Sequence, residues 1–330
     1  MNLIRFLSCC AIGASCLVAD GACAAPMAGV NLSAAAFASN KVPGRDGWDY
    51  MFPRQSEIDY FTSAGMKLVR LPVLWERLQS QPLSDLAPQY LAHIQSVVTM
   101  AEAGKAKVII DVHNYGAYGG QLIGSDTVSV DAFVDLWVRL ATVFGNDSGV
   151  LFGLMNEPKL SSGGDWAGIQ QKVINAIRAA GAKNLIAVSG VNWDGAHNFP
   201  QVNGDALATL TDPGNGLIFE VHEYFDRYSS GTSAECVPED QVESRLAPFT
   251  DWLRAHKAKG LLGEFGVSSS AGCLADLRVA LNFINQASDV WYGWTYWSGG
   301  PLWGNYMFSV APDKDGTEKP QMTVLKQFVN

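Results

Sequence analysis

Eight short apolar runs, separated by stretches of helical period, constrain this chain more than any other feature. They are residues 29–32 (GVNL), 67–73 (KLVRLPV), 107–114 (KVIIDVHN), 150–157 (VLFGLMNE), 184–190 (NLIAVSG), 217–224 (LIFEVHEY), 260–266 (GLLGEFG) and 290–297 (VWYGWTYW). Most are nearly continuous rather than alternating, the pattern of strands buried on both faces of a parallel sheet. Between them lie amphipathic stretches such as 89–104, 130–145, 166–181 and 275–287, the first three ending at a glycine suited to a C-cap. Eight strand–helix alternations predict an α/β fold, a single-domain (β/α)8 TIM barrel, which typically needs about 250 residues. An open doubly wound sheet would place a Gly-rich phosphate loop after the first strand, and this chain has none there. The insertion-like stretches 33–55, 115–130, 191–216 and 226–239 mostly follow strands, so they are expected to decorate the face where such barrels carry their sites.

Residues 1–25 read as a secretory leader. Arg5 precedes an apolar stretch from Phe6 to Val18, and small residues close the segment at 22–25. The run is too short to span a bilayer, and no second apolar run of about 20 residues follows. A secreted product, extracellular or periplasmic, is therefore expected, with residues 26–330 as the mature domain. Four of the six cysteines lie in the leader, which leaves Cys236, expected in the loop after strand six, and Cys273, expected in the loop after strand seven, to pair in an oxidising compartment. The leader carries one base (Arg5) and one acid (Asp20), so the net charge of −9 is unchanged by its removal. Such a surface repels polyanions, which argues against nucleic acid and anionic membranes as partners. Ten Trp and ten Tyr suit a neutral ligand with an apolar face and a polar rim instead. A monomer is expected.

Polar residues collect at the C-terminal ends of the runs: Arg70, His113, Asn114, Asn156, Glu157, His222, Tyr224, Glu264 and Trp297. In a parallel barrel those ends converge on one rim. One glutamate there is commonly half of a structural ion pair, but two glutamates with an arginine, two histidines, an asparagine and a tyrosine bury several charges without gain in stability. Two carboxyl groups across a barrel mouth suit glycoside hydrolysis, one protonating the leaving oxygen and one attacking the sugar carbon. Arg70 and Tyr224 suit Glu264 as supports by charge and hydrogen bond, Asn156 suits a sugar 2-hydroxyl, the two histidines suit hydroxyls or the glutamates, and Trp297 offers a flat ring to a pyranose. The five histidines are isolated, with neither zinc spacing nor a calcium loop, and no G-x-S-x-G elbow occurs, so no metal and no cofactor is expected.

LVRLPV with Arg70, DVHNY with His113, LMNEP with Asn156 and Glu157, EVHEY with His222 and Tyr224, GEFG with Glu264 and YWSGG with Trp297 together resemble glycoside hydrolase family 5, the cellulase family. The resemblance spans almost the whole mature chain. It implies that residues 26–330 form a glycoside hydrolase catalytic domain, with Glu157 as acid/base, Glu264 as nucleophile and retention of configuration through a glycosyl-enzyme. DVHNYGAYGG and SGGPLWGNY look most like the endo-β-1,4-glucanase branch, with Trp193 and Trp303 as further sugar platforms and a β-glucan polysaccharide or oligosaccharide as substrate. Mannan, xylan and mixed-linkage or β-1,3-glucan are alternatives, because the same catalytic rim serves them all. A carbohydrate-binding barrel without catalysis is a further alternative, which loss of either glutamate would have signalled.

Overall fold

The computed structural model describes residues 24–160 and 162–329, so the expected leader falls almost wholly outside the described residues. Eight parallel strands close into a barrel: β1 (Met27–Leu32), β2 (Leu68–Val73), β3 (Lys107–Val112), β4 (Val150–Gly153), β5 (Ile186–Val188), β6 (Leu217–His222), β7 (Gly260–Glu264) and β8 (Trp291–Gly299). Each strand pairs with the next in sequence, and β8 returns to β1 with Met27 opposite Gly293. All eight expected runs are strands, and the reason is burial on both faces. Every residue of Leu68–Val73 is buried, one set facing the barrel axis and the other the surrounding helices.

The outer layer shows the same logic. Helix Val130–Phe144 starts at Ser129, whose Oγ accepts from Ala132 N at 3.1 Å, and ends at Gly145. It buries Phe133, Leu136, Trp137, Leu140 and Phe144, spaced three and four apart on one face. Each such side chain contributes about 1.5–3 kcal/mol when fully buried. Two crossovers depart from the sequence reading. The helix expected from residue 275 begins at Ala271, because Ser270 Oγ caps it by accepting from Cys273 N at 3.3 Å, and Cys273 therefore lies on a helix rather than in a loop. Between β5 and β6 there is no full helix, only a 3-10 turn Ala196–Asn198 and a π-turn Pro200–Gly204 running into Asp205–Leu207. Asn, Pro and Gly are frequent in that stretch, and these residues favour turns over helix.

Inside the barrel, Leu68, Ile109, Leu151, Ala187, Ile218 and Leu261 form an apolar floor separate from the main core. The connections that leave the other, C-terminal end of the barrel include the four long insertions. One of them, after β3, carries a two-stranded ribbon of Ala117–Tyr118 and Gln121–Leu122. No described helix is long and apolar enough to cross a membrane.

Candidate active site

Two residues beyond the floor, the barrel interior becomes ionic. Arg70, 0% exposed, projects from β2 into the axis and meets three carboxylates from three strands. Its Nη2 lies 3.2 Å from Asp111 Oδ1, its Nε 2.8 Å from Glu220 Oε1, and its Nη1 2.9 Å from Glu264 Oε1. It also donates to Asn31 Oδ1 at 3.0 Å and to Asn156 Oδ1 at 2.8 Å. Burial opposes the guanidinium charge, but Asp111, Glu220 and Glu264 more than offset it and hold its pKa above the ordinary value. β7 makes room for this layer with a glycine: a Cβ on Gly263 would stand 2.1 Å from Glu220 Oε1.

Asp111 and Glu220 each stand two residues before a histidine, His222 at the end of β6 and His113 one residue past the end of β3, so both members of each pair face the axis. Asp111 Oδ2 is 2.8 Å from His113 Nδ1, and Glu220 Oε1 is 3.4 Å from His222 Nε2. An acceptor-only carboxylate puts the proton on the nitrogen it faces, which leaves His113 Nε2 towards the cleft. His222 presents its other nitrogen, Nδ1, to Glu157 Oε1 at 2.7 Å. Burial alone would discharge His222, but Glu264, Glu157 and Glu220 around it raise its pKa well above the usual value. Glu220 is held below the usual carboxylate value because Arg70 and His222 outweigh its burial.

Glu157 follows β4 with φ of +40°, a left-handed conformation that is strained for a side chain of its size. Glu264, at the end of β7, has both oxygens engaged, one by Arg70 and one by the Tyr224 hydroxyl at 2.8 Å. Ligand atoms of Glu157, His222 and Glu264 all lie within 4.8 Å of one another, close enough to meet one metal ion. Arg70 and Tyr224 already serve Glu264, so the set is built as a charge-paired carboxylate system. Asn156 completes it: its Oδ1 is held by Arg70, while its buried Nδ2 has no partner in the protein. An unpaired buried donor at the mouth of a site is a place for a ligand acceptor.

Above these groups opens a cleft of about 690 Å³. On one side the His113 ring stacks on Trp297, centroids 5.8 Å apart and 13° between planes. On the other, Trp193 is 57% exposed at the middle of a left-handed turn in which Asn192, Trp193 and Asp194 have φ of 61°, 59° and 56°. Asp194 locks that turn by accepting from Gly190 N through its buried carboxyl, which burial keeps well above the usual carboxylate pKa. The third wall comes from the loops after β5 and β6. There Glu223 accepts from His197 Nδ1 at 2.7 Å and from Arg245 Nη1 at 3.2 Å, and His197 is raised in pKa chiefly by that bond to Glu223.

Of the residues singled out in the sequence, Arg70, His113, Asn156, Glu157, Trp193, His222, Tyr224, Glu264 and Trp297 meet at this rim. Asn114 does not open into it: its Oδ1 accepts from Trp75 N at 2.7 Å and its Nδ2 donates to Glu76 Oε2 at 2.6 Å, so the amide is occupied in pinning a loop. Trp303 stacks on Tyr306 and stands edge-on to Trp297, so its contact with the cleft wall runs through those two rings. Cys236 and Cys273 are disulfide-bonded, with Cα atoms 5.4 Å apart. Sequence reading missed Asp111, Glu220 and Asn31 in the axial layer and His197 and Glu223 in the wall. The repeated acid-x-His spacing of DVH and EVH was the signal for the first two.

Residues 25–300 match the family described as Cellulase (glycosyl hydrolase family 5). The chain is 35% identical over 303 residues to a probable endo-β-1,4-glucanase B of Neosartorya fischeri, covering 91% of each chain. Among solved structures it is similar to XacCel5A in complex with cellopentaose, with TM-score 0.90, 44% identity, and coverage of 92% of this chain and 99% of that one. It is also similar to Pseudomonas stutzeri endoglucanase Cel5A in complex with cellobiose, with TM-score 0.86, 35% identity and 92% coverage of both.

Proposed function

This chain belongs to the cellulase family, glycosyl hydrolase family 5, as a retaining endo-β-1,4-glucanase, and on that premise we propose that Glu157 and Glu264 carry out the double displacement on internal β-1,4-glucosidic bonds. The observation that carries the assignment is the asymmetry between two carboxyl groups that bring an oxygen each within 4.8 Å of the other. Retaining enzymes hold their carboxyl groups roughly 5–5.5 Å apart, whereas inverting ones leave room for a water at about 6.5–9.5 Å. Glu264 has Arg70 for charge compensation and the Tyr224 hydroxyl for orientation, the support that an attacking carboxylate needs. Glu157 faces His222 and no arginine or lysine, and it is the group we assign to proton transfer.

In the first step Glu264 attacks the anomeric carbon while the Glu157 carboxyl proton passes to the departing glycosidic oxygen. A β-linked glucosyl unit becomes an α-linked glucosyl ester of Glu264, and the released chain leaves with a new hydroxyl. Glu157, now a carboxylate, takes a proton from water, which attacks the same carbon from the β face and restores Glu264. The unpaired Asn156 Nδ2 supports a role in holding the 2-hydroxyl, where hydrogen bonds strengthen as the oxocarbenium-like state forms. Cellopentaose in a relative supports a β-1,4-linked glucose chain as the ligand, lying against Trp297 on one side of the glutamates and Trp193 on the other. The leader-like first 25 residues and the disulfide support export of the enzyme, which N-terminal sequencing of the mature product tests.

The roles are tested with Glu157→Ala and Glu264→Ala on an activated β-cellobioside in the presence of azide. Glu157→Ala is expected to yield a β-configured glycosyl azide from the accumulated intermediate, and Glu264→Ala an α-configured one by direct attack. Exchanged configurations would reverse the assignment.

A further inference from the structure

Among the described residues, the strongly exposed aromatic side chains are Trp48 at 72%, Tyr228 at 66% and Trp193 at 57%. Each has a cation against its ring: Arg45 Cζ lies 5.3 Å from Trp48, Arg227 Cζ 5.6 Å from Tyr228, and Lys159 Nζ 4.5 Å from Trp193. Two of these cations are themselves tied down, Arg45 to Asp49 at 3.1 Å and Arg227 to Glu235 at 2.8 Å. A tethered cation covers one face of a ring, restricts its swing and leaves the other face open. Tyr228 and Trp193 line the cleft. Trp48 is built the same way, yet it lies outside that lining.

The loop that carries Trp48 is held with unusual care for a segment ending in an exposed indole. Arg77, buried beneath it, donates to the carbonyls of Ala35, Phe37, Ala38 and Pro43 at 2.8, 2.7, 3.0 and 3.0 Å. The Asp49 carboxylate collects Lys41 Nζ at 2.8 Å and Arg45 N at 3.0 Å. Asp46 pairs with His93 of helix Pro88–Ala103 at 3.1 Å. The loop leaves the C-terminal end of β1, and so stands on the face of the cleft. β1 lies between β8 and β2, whereas Trp193 and Tyr228 follow β5 and β6 on the opposite side of the barrel mouth. Contact with the cleft is continuous, since Phe37 meets Trp303 at 4.8 Å and Trp303 meets Trp297 at 5.5 Å. A linear chain crossing the mouth from Trp193 past the glutamates to Trp297 would continue towards this loop.

We propose that Trp48 is a sugar platform outside the cleft, which holds the emerging segment of a long β-glucan chain by stacking a glucose ring on the open face of its indole. The inference rests on the β-glucan reading above. In that role Trp48 discriminates polymers from short oligosaccharides, which end before they reach it.

The test is affinity electrophoresis through hydroxyethylcellulose gels in a Glu264→Gln background, so that the gel is not cut, alongside kinetics of the active enzyme. Trp48→Ala should weaken the apparent affinity for the polymer about 3- to 10-fold, the range of one aromatic contact, and Trp48→Tyr should keep most of it. In the active enzyme, the ratio of kcat/KM on hydroxyethylcellulose to kcat/KM on cellotetraose should fall by a similar factor. Retardation of Trp48→Ala equal to that of its parent overturns the platform and leaves the β-glucan reading standing. A parent that no β-glucan gel retards overturns both. An equal loss on cellotetraose places Trp48 in the action of the cleft itself and overturns its external role.

Discussion

The floor of the barrel and the layer above it are built from the same strands, two residues apart. Leu68 is succeeded by Arg70, Ile109 by Asp111 and Ile218 by Glu220, and in a step of roughly 6.6 Å the interior passes from hydrocarbon to buried charge. The floor gains stability by excluding water and needs only the right volume, so its members are interchangeable in kind. The layer above it holds one guanidinium among three carboxylates, an arrangement whose desolvation penalty is offset only while every partner is present. One end of the barrel tolerates sequence change; the other is a network in which each charge sets the state of its neighbours.

Removing the centre of that network should have the largest effect. Arg70→Met leaves Asp111, Glu220 and Glu264 facing one another, and should lower stability by about 3–5 kcal/mol and abolish measurable turnover. Leu151→Ala in the floor should cost a comparable 2–5 kcal/mol through its cavity, yet keep kcat within a few-fold at a temperature where it is folded. Denaturant unfolding and cellotetraose kinetics on the two variants decide the matter, and a floor variant as inactive as Arg70→Met would erase the distinction between the layers.

A smaller change asks whether the axial carboxylates act through the histidines. Glu220→Gln replaces the charged partner of His222 Nε2 with a neutral amide and should reduce kcat roughly 10- to 100-fold, the scale of one charge-assisted bond. Because Glu220 is one of the groups that raise the pKa of His222, the basic limb of the activity profile should move to lower pH. A purely structural glutamate would lower stability and leave that limb in place.

The smallest effect lies outside the barrel. Asp276, on helix Ala271–Gln286, is 2% exposed and has an unpaired Oδ2. Burial first, then Glu239, pushes its pKa from 3.8 up to about 6. Its stabilising contribution is therefore complete below 3.8 and is lost as pH rises towards about 6. Glu220, with its pKa lowered, behaves in the opposite sense and loses its contribution as pH falls through the folded-state value. Asp276→Asn should raise Tm by roughly 2–4 °C above pH 6, with no gain below pH 4, in thermal melts across that range. A Tm gain that is the same at every pH would show that the carboxyl charge is not the cause.

Much of this was legible before any coordinates. Continuous apolar runs with glycine-capped amphipathic stretches between them specify a parallel closed sheet, and strand direction then carries Arg70, His113, Glu157, His222 and Glu264 to one rim. Asp111 and Glu220 were just as visible, in DVH and EVH, but attention to strand ends passed over residues one step inside, where period two aims them at the axis. For Trp303 and Asn114 the limit is of another kind. A residue type at a strand end says what a side chain could do, whereas the neighbours Tyr306, Trp75 and Glu76 determine whether it is still free to do it. Cys273 lies on a helix that starts four residues before the apolar period becomes visible at 275, because the Ser270 cap sets that start.

The sequence by itself determined the barrel, the order of its strands and the residue types on its rim, because hydrophobic period and strand polarity are local properties that survive without a partner. Only the tertiary structure decided which of those residues face the cleft and which are already occupied, that one arginine holds three acids at once, and that Trp48 stands outside the cleft on a braced loop. Contacts between residues as distant as Arg70 and Glu264 depend on closure of the sheet, and no window of sequence contains both partners.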